Sequence, residues 1–206
     1  MEILKESGWN FADGVPVAWL GRRKSGLHGF GCTRGPSTFV QTLHDSVDVA
    51  CVSHFFIGSS DESLKEMLRV IERDFPGVRV AGAFSPPFGP VSESLIDECE
   101  QRIKSSGASL VWVALGTPKQ DFFTDVLSRR VNLPCAGVGA AFDFLSGSVK
   151  EAPSFLRGTG VEWLYRLAAE PQRLWRRYTF GTARFLFAVA RDGGLFSRGS
   201  APEARE

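Results

Sequence analysis

Histidine and cysteine are scarce and scattered in this chain. Three His (His28, His44, His54) and four Cys (Cys32, Cys51, Cys99, Cys135) share no metal-ligand spacing and form no CxxC pair, and no Asp-x-Asp pair occurs. That excludes a zinc ribbon and a disulfide scaffold, and it leaves no spaced aspartates to hold a metal-bound diphosphate. Thiols used as small apolar groups fit a reducing compartment, with the cytoplasm the simplest choice. Long hydrophobic runs are also lacking. The best, Phe185 to Ala190, is bracketed by Arg184 and Arg191, whereas a spanning helix needs about 18 or more apolar residues. The start, Met1-Glu2-Ile3-Leu4-Lys5-Glu6, lacks the apolar core of a signal peptide. Net charge is nearly absent too: 24 Lys+Arg against 23 Asp+Glu give +1. A chain so balanced is no wholesale nucleic-acid coat, and no nucleic-acid partner is expected.

What is present reads as one globular α/β domain. The 206 residues are 43% hydrophobic and 23% charged, a composition that excludes disorder and coiled coil. The charge is unevenly placed. Arg157 to Arg191 contains seven Arg, no Lys and two acids, a local +5. There Trp163, Leu164, Tyr165, Leu167, Leu174, Trp175, Tyr178 and Phe180 alternate with Arg166, Arg173, Arg176 and Arg177. Such a segment can be a solvated basic face, a nucleic-acid contact or an interfacial helix on anionic lipid, and the aromatic girdling favours the last. The tail after residue 191 is rich in Gly, Ser, Pro and charge, and disorder is expected for 192–206.

Strand and helix patterns alternate through the middle. Val49 to Ile57 predicts a strand, and Ser59 with Glu62 has the form of a capping box opening a helix to about Asp74. Leu64, Met67, Leu68 and Ile71 fall on one face of that helix. Further strands are expected over Val78 to Ala83, Leu110 to Leu115 and Pro134 to Val138, with helices over Ser92 to Ser106 and from Lys119 to about Arg130. Apolar strands separated by helices predict a parallel sheet flanked by helices. Its carboxyl edge would gather the loops Gly58-Ser59-Ser60, Gly116-Thr117-Pro118-Lys119-Gln120 and Gly137-Val138-Gly139-Ala140-Ala141, where open α/β sheets bind ligands.

Each motif has a bland reading beside its chemical one. Gly137-Val138-Gly139-Ala140-Ala141-Phe142 approaches GxGxxG, but Phe142 replaces the last Gly and the segment closes the sheet rather than opening it, so a close-approach turn is the better reading than a nicotinamide site. Gly116-Thr117-Pro118-Lys119-Gln120 is either an ordinary strand-to-helix turn or a cradle for phosphate or a sugar oxygen. Asp13, before Gly14 and the apolar run Val15 to Leu20, is either a helix cap or a general base.

Several segments resemble, in order and spacing, the WecG/TagA/CpsF glycosyltransferases, glycosyltransferase family 26. They are Phe11-Ala12-Asp13-Gly14-Val15-Pro16-Val17, Phe75-Pro76-Gly77, Ser85-Pro86-Pro87-Phe88, Leu110 to Asp121, Gly137 to Gly147, Glu162 to Leu167 and Glu170 to Tyr178. The likeness covers about residues 9 to 180. It implies a Rossmann-like domain over 1–159 and a basic, membrane-associating C-terminal helical appendage over 160–191. The implied activity is inverting transfer of an N-acetylmannosamine-type sugar from a UDP donor to polyprenyl-diphosphate-linked N-acetylglucosamine. Such transfer serves teichoic acid, common antigen or capsule synthesis, peripheral on the cytoplasmic face of the cell membrane.

By the same resemblance Asp13 is the base and Gln120 a catalytic-pocket residue. Thr117, Lys119, Gly137, Gly139, Arg166, Arg173 and Arg176 bind substrate, arginine neutralising the leaving diphosphate with no metal or other cofactor. A homo-oligomer is allowed for. Family members carry a longer segment before the Asp-Gly motif, with a strand and a Thr/Asn donor contact. Asp13 stands near the start here, so part of the pocket is expected to be missing, through a late start or a degenerate copy. Glu151 stands where the family has Arg before Ala152-Pro153, and Thr33 to Ser37 follows its Gly-x-Asp segment loosely. The alternative expectation is a catalytically silent relative that binds a sugar nucleotide or lipid.

Overall fold

The computed structural model describes residues 8–25, 32–49, 51–156, 159, 161–169, 171–172, 175, 181, 184, 187 and 189–191. The chain forms two compact units: Gly35–Lys150 (with residues 1–9), and a discontinuous one of Asn10–Arg34 and Glu151 onward.

The first unit holds a four-stranded, all-parallel sheet in the order β2-β1-β3-β4, the α/β fold expected. Its strands are β1 (Ser53–Gly58), β2 (Arg79–Phe84), β3 (Leu110–Ala114) and β4 (Cys135–Gly137). All four expected strands are present, with shifted ends. β1 begins at Ser53 rather than Val49: the Val49 and Val52 amides bond back to the Ser46 and Val49 carbonyls in turns and so are not ladder donors.

In the second unit α1 (Val15–Ser25) follows the Asp-Gly motif; in the first, α2 (Gly35–Ser46) precedes the sheet. α2 was not anticipated, although Pro36 in its first turn and Phe39 and Leu43 four apart are helix signals. α3 (Asp61–Asp74), α4 (Glu93–Ser106) and α5 (Lys119–Val131) are the three helices expected, and α6 (Ala141–Leu145) is a short addition. α4 begins at an Ser92 cap and ends at Gly107, whose φ of +71° suits a residue without Cβ. The anticipated Ser59 cap of α3 is instead Ser60, whose hydroxyl accepts from the Ser63 amide.

Neighbouring strand residues point to opposite faces and so build two cores. Phe55, Ile57, Val111 and Val113 pack with Ile96, Cys99 and Ile103 of α4 and Phe123 and Leu127 of α5. Phe56 and Trp112 pack with Phe39 and Leu43 of α2, Met67 and Ile71 of α3, and Phe142 of α6. Burying each such side chain contributes about 1.5–3 kcal/mol. α3 after β1 lies on one face, and α5 after β3 on the other. The order in which strands are added thus reverses between β1 and β3, the arrangement that opens a crevice at carboxyl ends.

The second core contains a fully buried histidine. Trp112 Nε1–H donates to His54 Nδ1 at 2.9 Å, and His54 Nε2 lies 2.9 Å from Ser46 Oγ. Ser46 Oγ–H is directed to the Leu43 carbonyl at 2.8 Å, so Nε2 carries the proton and the ring is neutral. Burial holds its pKa below the usual 6.5. The unfolded chain therefore takes up a proton that the folded one refuses, and stability present above pH 6.5 is lost as pH falls through that value toward the folded pKa. The urea midpoint should drop between pH 7.5 and 5.5, with a smaller drop in His54→Gln.

Candidate functional site

Three loops meet at the carboxyl edge of the first unit's sheet. After β1, Gly58 takes φ +122°. A Cβ there would stand 2.3 Å from the Ala114 carbonyl oxygen, so the end of β1 lies against the end of β3. Ser59 follows in the left-handed region (φ +62°), a strained choice for a residue with a side chain. Its hydroxyl donates to Asp143 Oδ1 at 2.5 Å, and Ser63 Oγ donates to the same oxygen at 3.0 Å. Ser146 Oγ lies 2.9 Å from Ser63 Oγ. A carboxylate is thus held by two hydroxyls at the strand switch. The sequence reading placed Ser59 at the carboxyl edge and as a helix cap, and it did not single out Asp143. Their contact spans 84 residues, beyond the reach of any local pattern.

After β3, Gly116 takes φ +78°, with no atom within 4 Å of a Cβ built there, and Thr117 is exposed. Lys119 Nζ donates to the Gly89 carbonyl at 2.6 Å; an ammonium has three donors, so one bond does not exhaust it. Gln120 is buried, and its Oε1 accepts from the Gly139 amide at 3.0 Å. A Cβ on Gly137 would stand 2.6 Å from Gln120 Nε2, so Gly137 is needed for this packing. Gly139, at φ +59°, has open space where a Cβ would be. Five expected residues, Thr117, Lys119, Gln120, Gly137 and Gly139, therefore lie at two adjacent junctions, β3 to α5 and β4 to α6, with Gln120 fastening one to the other.

The second unit carries Asp13. It forms an isolated parallel bridge with Thr33, and the Thr33 amide donates to the Ala12 carbonyl at 2.9 Å. Gly14, at φ +94°, then turns the chain into α1, leaving Asp13 exposed at the exit of an extended piece. Arg34 pairs with Glu151 at 2.6 Å and with Glu162 at 2.6 Å. The two carboxylates hold its guanidinium firmly charged. Glu162 opens α7 (Glu162–Ala169), so one side chain joins residues 10–34, the Glu151 return and this helix. Arg34→Met would leave two carboxylates facing each other with only 24% and 21% side-chain exposure. It should cost about 2–4 kcal/mol by urea titration, more than Glu151→Gln does. Arg166 lies on α7; Arg173 and Arg176 lie outside the described residues.

An open parallel sheet whose strand order reverses between its two central strands, with small, polar loops at that point, is a doubly wound α/β domain of the kind that binds ligands at its carboxyl edge. The chain belongs to the WecG/TagA/CpsF family of glycosyl transferases, whose model matches residues 1–198. A curated relative from Bacillus spizizenii, N-acetylglucosaminyldiphosphoundecaprenol N-acetyl-beta-D-mannosaminyltransferase, is 37% identical over 139 residues, covering 66% of this chain and 51% of the relative. The match thus spans about half the length of that protein.

Proposed function

We propose that this protein is an inverting glycosyltransferase. It would move an N-acetylmannosamine-type sugar from a UDP donor to a polyprenyl-diphosphate-linked N-acetylglucosamine during cell-surface polysaccharide synthesis at the inner face of the cell membrane. The observation that supports it most is the crevice between β1 and β3. There the Asp143 carboxylate, held by Ser59 and Ser63, adjoins loops whose glycines Gly116 and Gly139 leave open space.

Each group then has a chemical task. A carboxylate at a strand switch accepts hydrogen bonds from a ribose diol, which suits Asp143 to the nucleoside of the donor. The remaining Lys119 donors and the Thr117 hydroxyl suit a diphosphate or sugar oxygen. Gln120 keeps the Gly137–Gly139 turn in place for that contact. In a single displacement the acceptor hydroxyl oxygen bonds to the anomeric carbon as the bond to UDP breaks on the opposite face. Asp13 takes the hydroxyl proton, and the leaving diphosphate is neutralised by Arg166, Arg173 and Arg176, whose forked donors match phosphate. Among the described residues no helix is long and apolar enough to cross a membrane.

The test is UDP release from a panel of UDP-sugars, with and without a polyprenyl-diphosphate-linked N-acetylglucosamine. Release that depends on both donor and acceptor is expected. A protein that binds UDP-sugar by calorimetry yet releases no UDP would instead be the silent binding module.

A further inference from the structure

The β2–α4 loop is an apolar projection. Between Phe84 and Ser92 there is no charged side chain, and Pro87, Phe88 and Pro90 are exposed. Phe88 is 108% exposed, so nothing covers its ring, and Phe122 on α5 is 55% exposed. A lone exposed Phe is ordinary protein surface. Here three things accompany it.

The loop is pinned on both sides of Phe88. Ser85 Oγ donates to the Ser59 carbonyl at 2.8 Å and Lys119 Nζ to the Gly89 carbonyl at 2.6 Å. With three prolines fixing φ nearby, the ring is held out in advance and little further ordering is needed on contact. Second, Phe122 lies one helical turn beyond Lys119, so the same lysine bond brings a second exposed ring and an ammonium beside the loop. Third, both rings belong to the sheet's carboxyl edge, where the strand-end loops gather.

We propose that Phe88 and Phe122 are an interfacial anchor that inserts into the headgroup region of a phospholipid bilayer and holds this edge of the sheet at the membrane surface. A stable contact with a second copy of the chain would need on the order of 800 Å² of fitted surface per partner. One exposed ring on an uncharged loop and a second on α5, with Lys119 bonded to that loop, match instead the interface of a bilayer. There aromatic rings sit at headgroup depth and a lysine stem can snorkel. The proposal rests on the transferase reading only for why a bilayer would be met, since that acceptor keeps its lipid in the membrane.

The experiment is co-sedimentation of the full chain with vesicles of equal parts phosphatidylcholine and phosphatidylglycerol. Phe88→Ser and Phe122→Ser should each weaken binding by about tenfold, and Phe88→Trp should preserve it. All three should melt with the wild type, because both rings are solvent-exposed. The arginines at 166, 173 and 176 are unchanged in every variant, so the difference reports on these two rings. Wild-type binding that the serine variants do not weaken overturns the proposal, as does no wild-type binding at all. So does a wild-type dimer that Phe88→Ser converts to monomer, which would assign the rings to a contact between copies. No sugar transfer enters the readout, so absence of acceptor-dependent UDP release would sink the transferase reading and leave this result standing.

Discussion

Asp13→Asn is expected to lower acceptor-dependent UDP release about 10²–10⁴-fold, the loss typical of removing a positioned general base. The amide matches the carboxylate in shape but cannot take a proton from the acceptor hydroxyl. Donor affinity, measured by calorimetry, should stay within a few fold, because a base for the acceptor acts on the chemical step rather than on nucleotide capture. The local structure suits that task. The bridge to Thr33 fixes the backbone of Asp13, and Gly14, at φ +94°, turns the chain away immediately afterwards. Unchanged turnover in the Asn variant would end the assignment. A loss of donor binding equal to the loss of rate would move Asp13 from proton transfer to substrate holding.

Gly58→Ala is expected to carry the largest cost to stability of any single methyl added to the first unit, roughly 3 kcal/mol. Two effects combine. At φ +122° an L side chain is strained by on the order of 1–3 kcal/mol. The new Cβ would also stand 2.3 Å from the oxygen and 2.6 Å from the carbon of the Ala114 carbonyl. Those atoms are the backbone of β3, so relief requires the two central strands to part. Gly116→Ala is the control. Its φ of +78° is also unfavourable, but nothing lies within 4 Å, so it should cost only about 1 kcal/mol by urea titration. Similar costs for the two would mean that the strand ends yield more readily than this packing allows. Gly58→Ala should also disturb the next residue, Ser59, and with it the hydroxyl that holds Asp143.

The parallel sheet was legible because its signals are local. Leu110 to Leu115 is an uninterrupted apolar run closed by Gly116, and Ser92 and Gly107 bracket α4 at both ends. Short-range turn chemistry was harder to read. Ser59 has the better capping-box spacing, with Glu62 three residues on, yet Ser60 caps α3 while the Ser59 hydroxyl is bonded to Asp143. The polar clusters that bind distant segments could not be read at all. Arg34 meets Glu162 across 128 residues, and no periodicity connects them. Glu151, which departs from the family pattern in sequence, has a clear partner once the chain is folded, since it is half of the Arg34 clamp. Gln120 was singled out by its strand-to-helix motif and the family resemblance, but its buried bond to the Gly139 amide, across 19 residues, had no signal in the sequence.

The second unit is made of two segments, residues 10–34 and those from 151 onward, and the whole sheet is strung between them. On a ribosome this imposes an order. Residues 35–150 are contiguous and can collapse around their two cores as they emerge. Residues 10–34, although made earlier, must wait for Glu151 and Glu162 to arrive before Arg34 has either partner. A nascent chain stalled short of residue 151 would therefore carry a formed sheet and an Arg34 without these two carboxylates. The segment bearing Asp13 would then be among the last parts of the protein to settle.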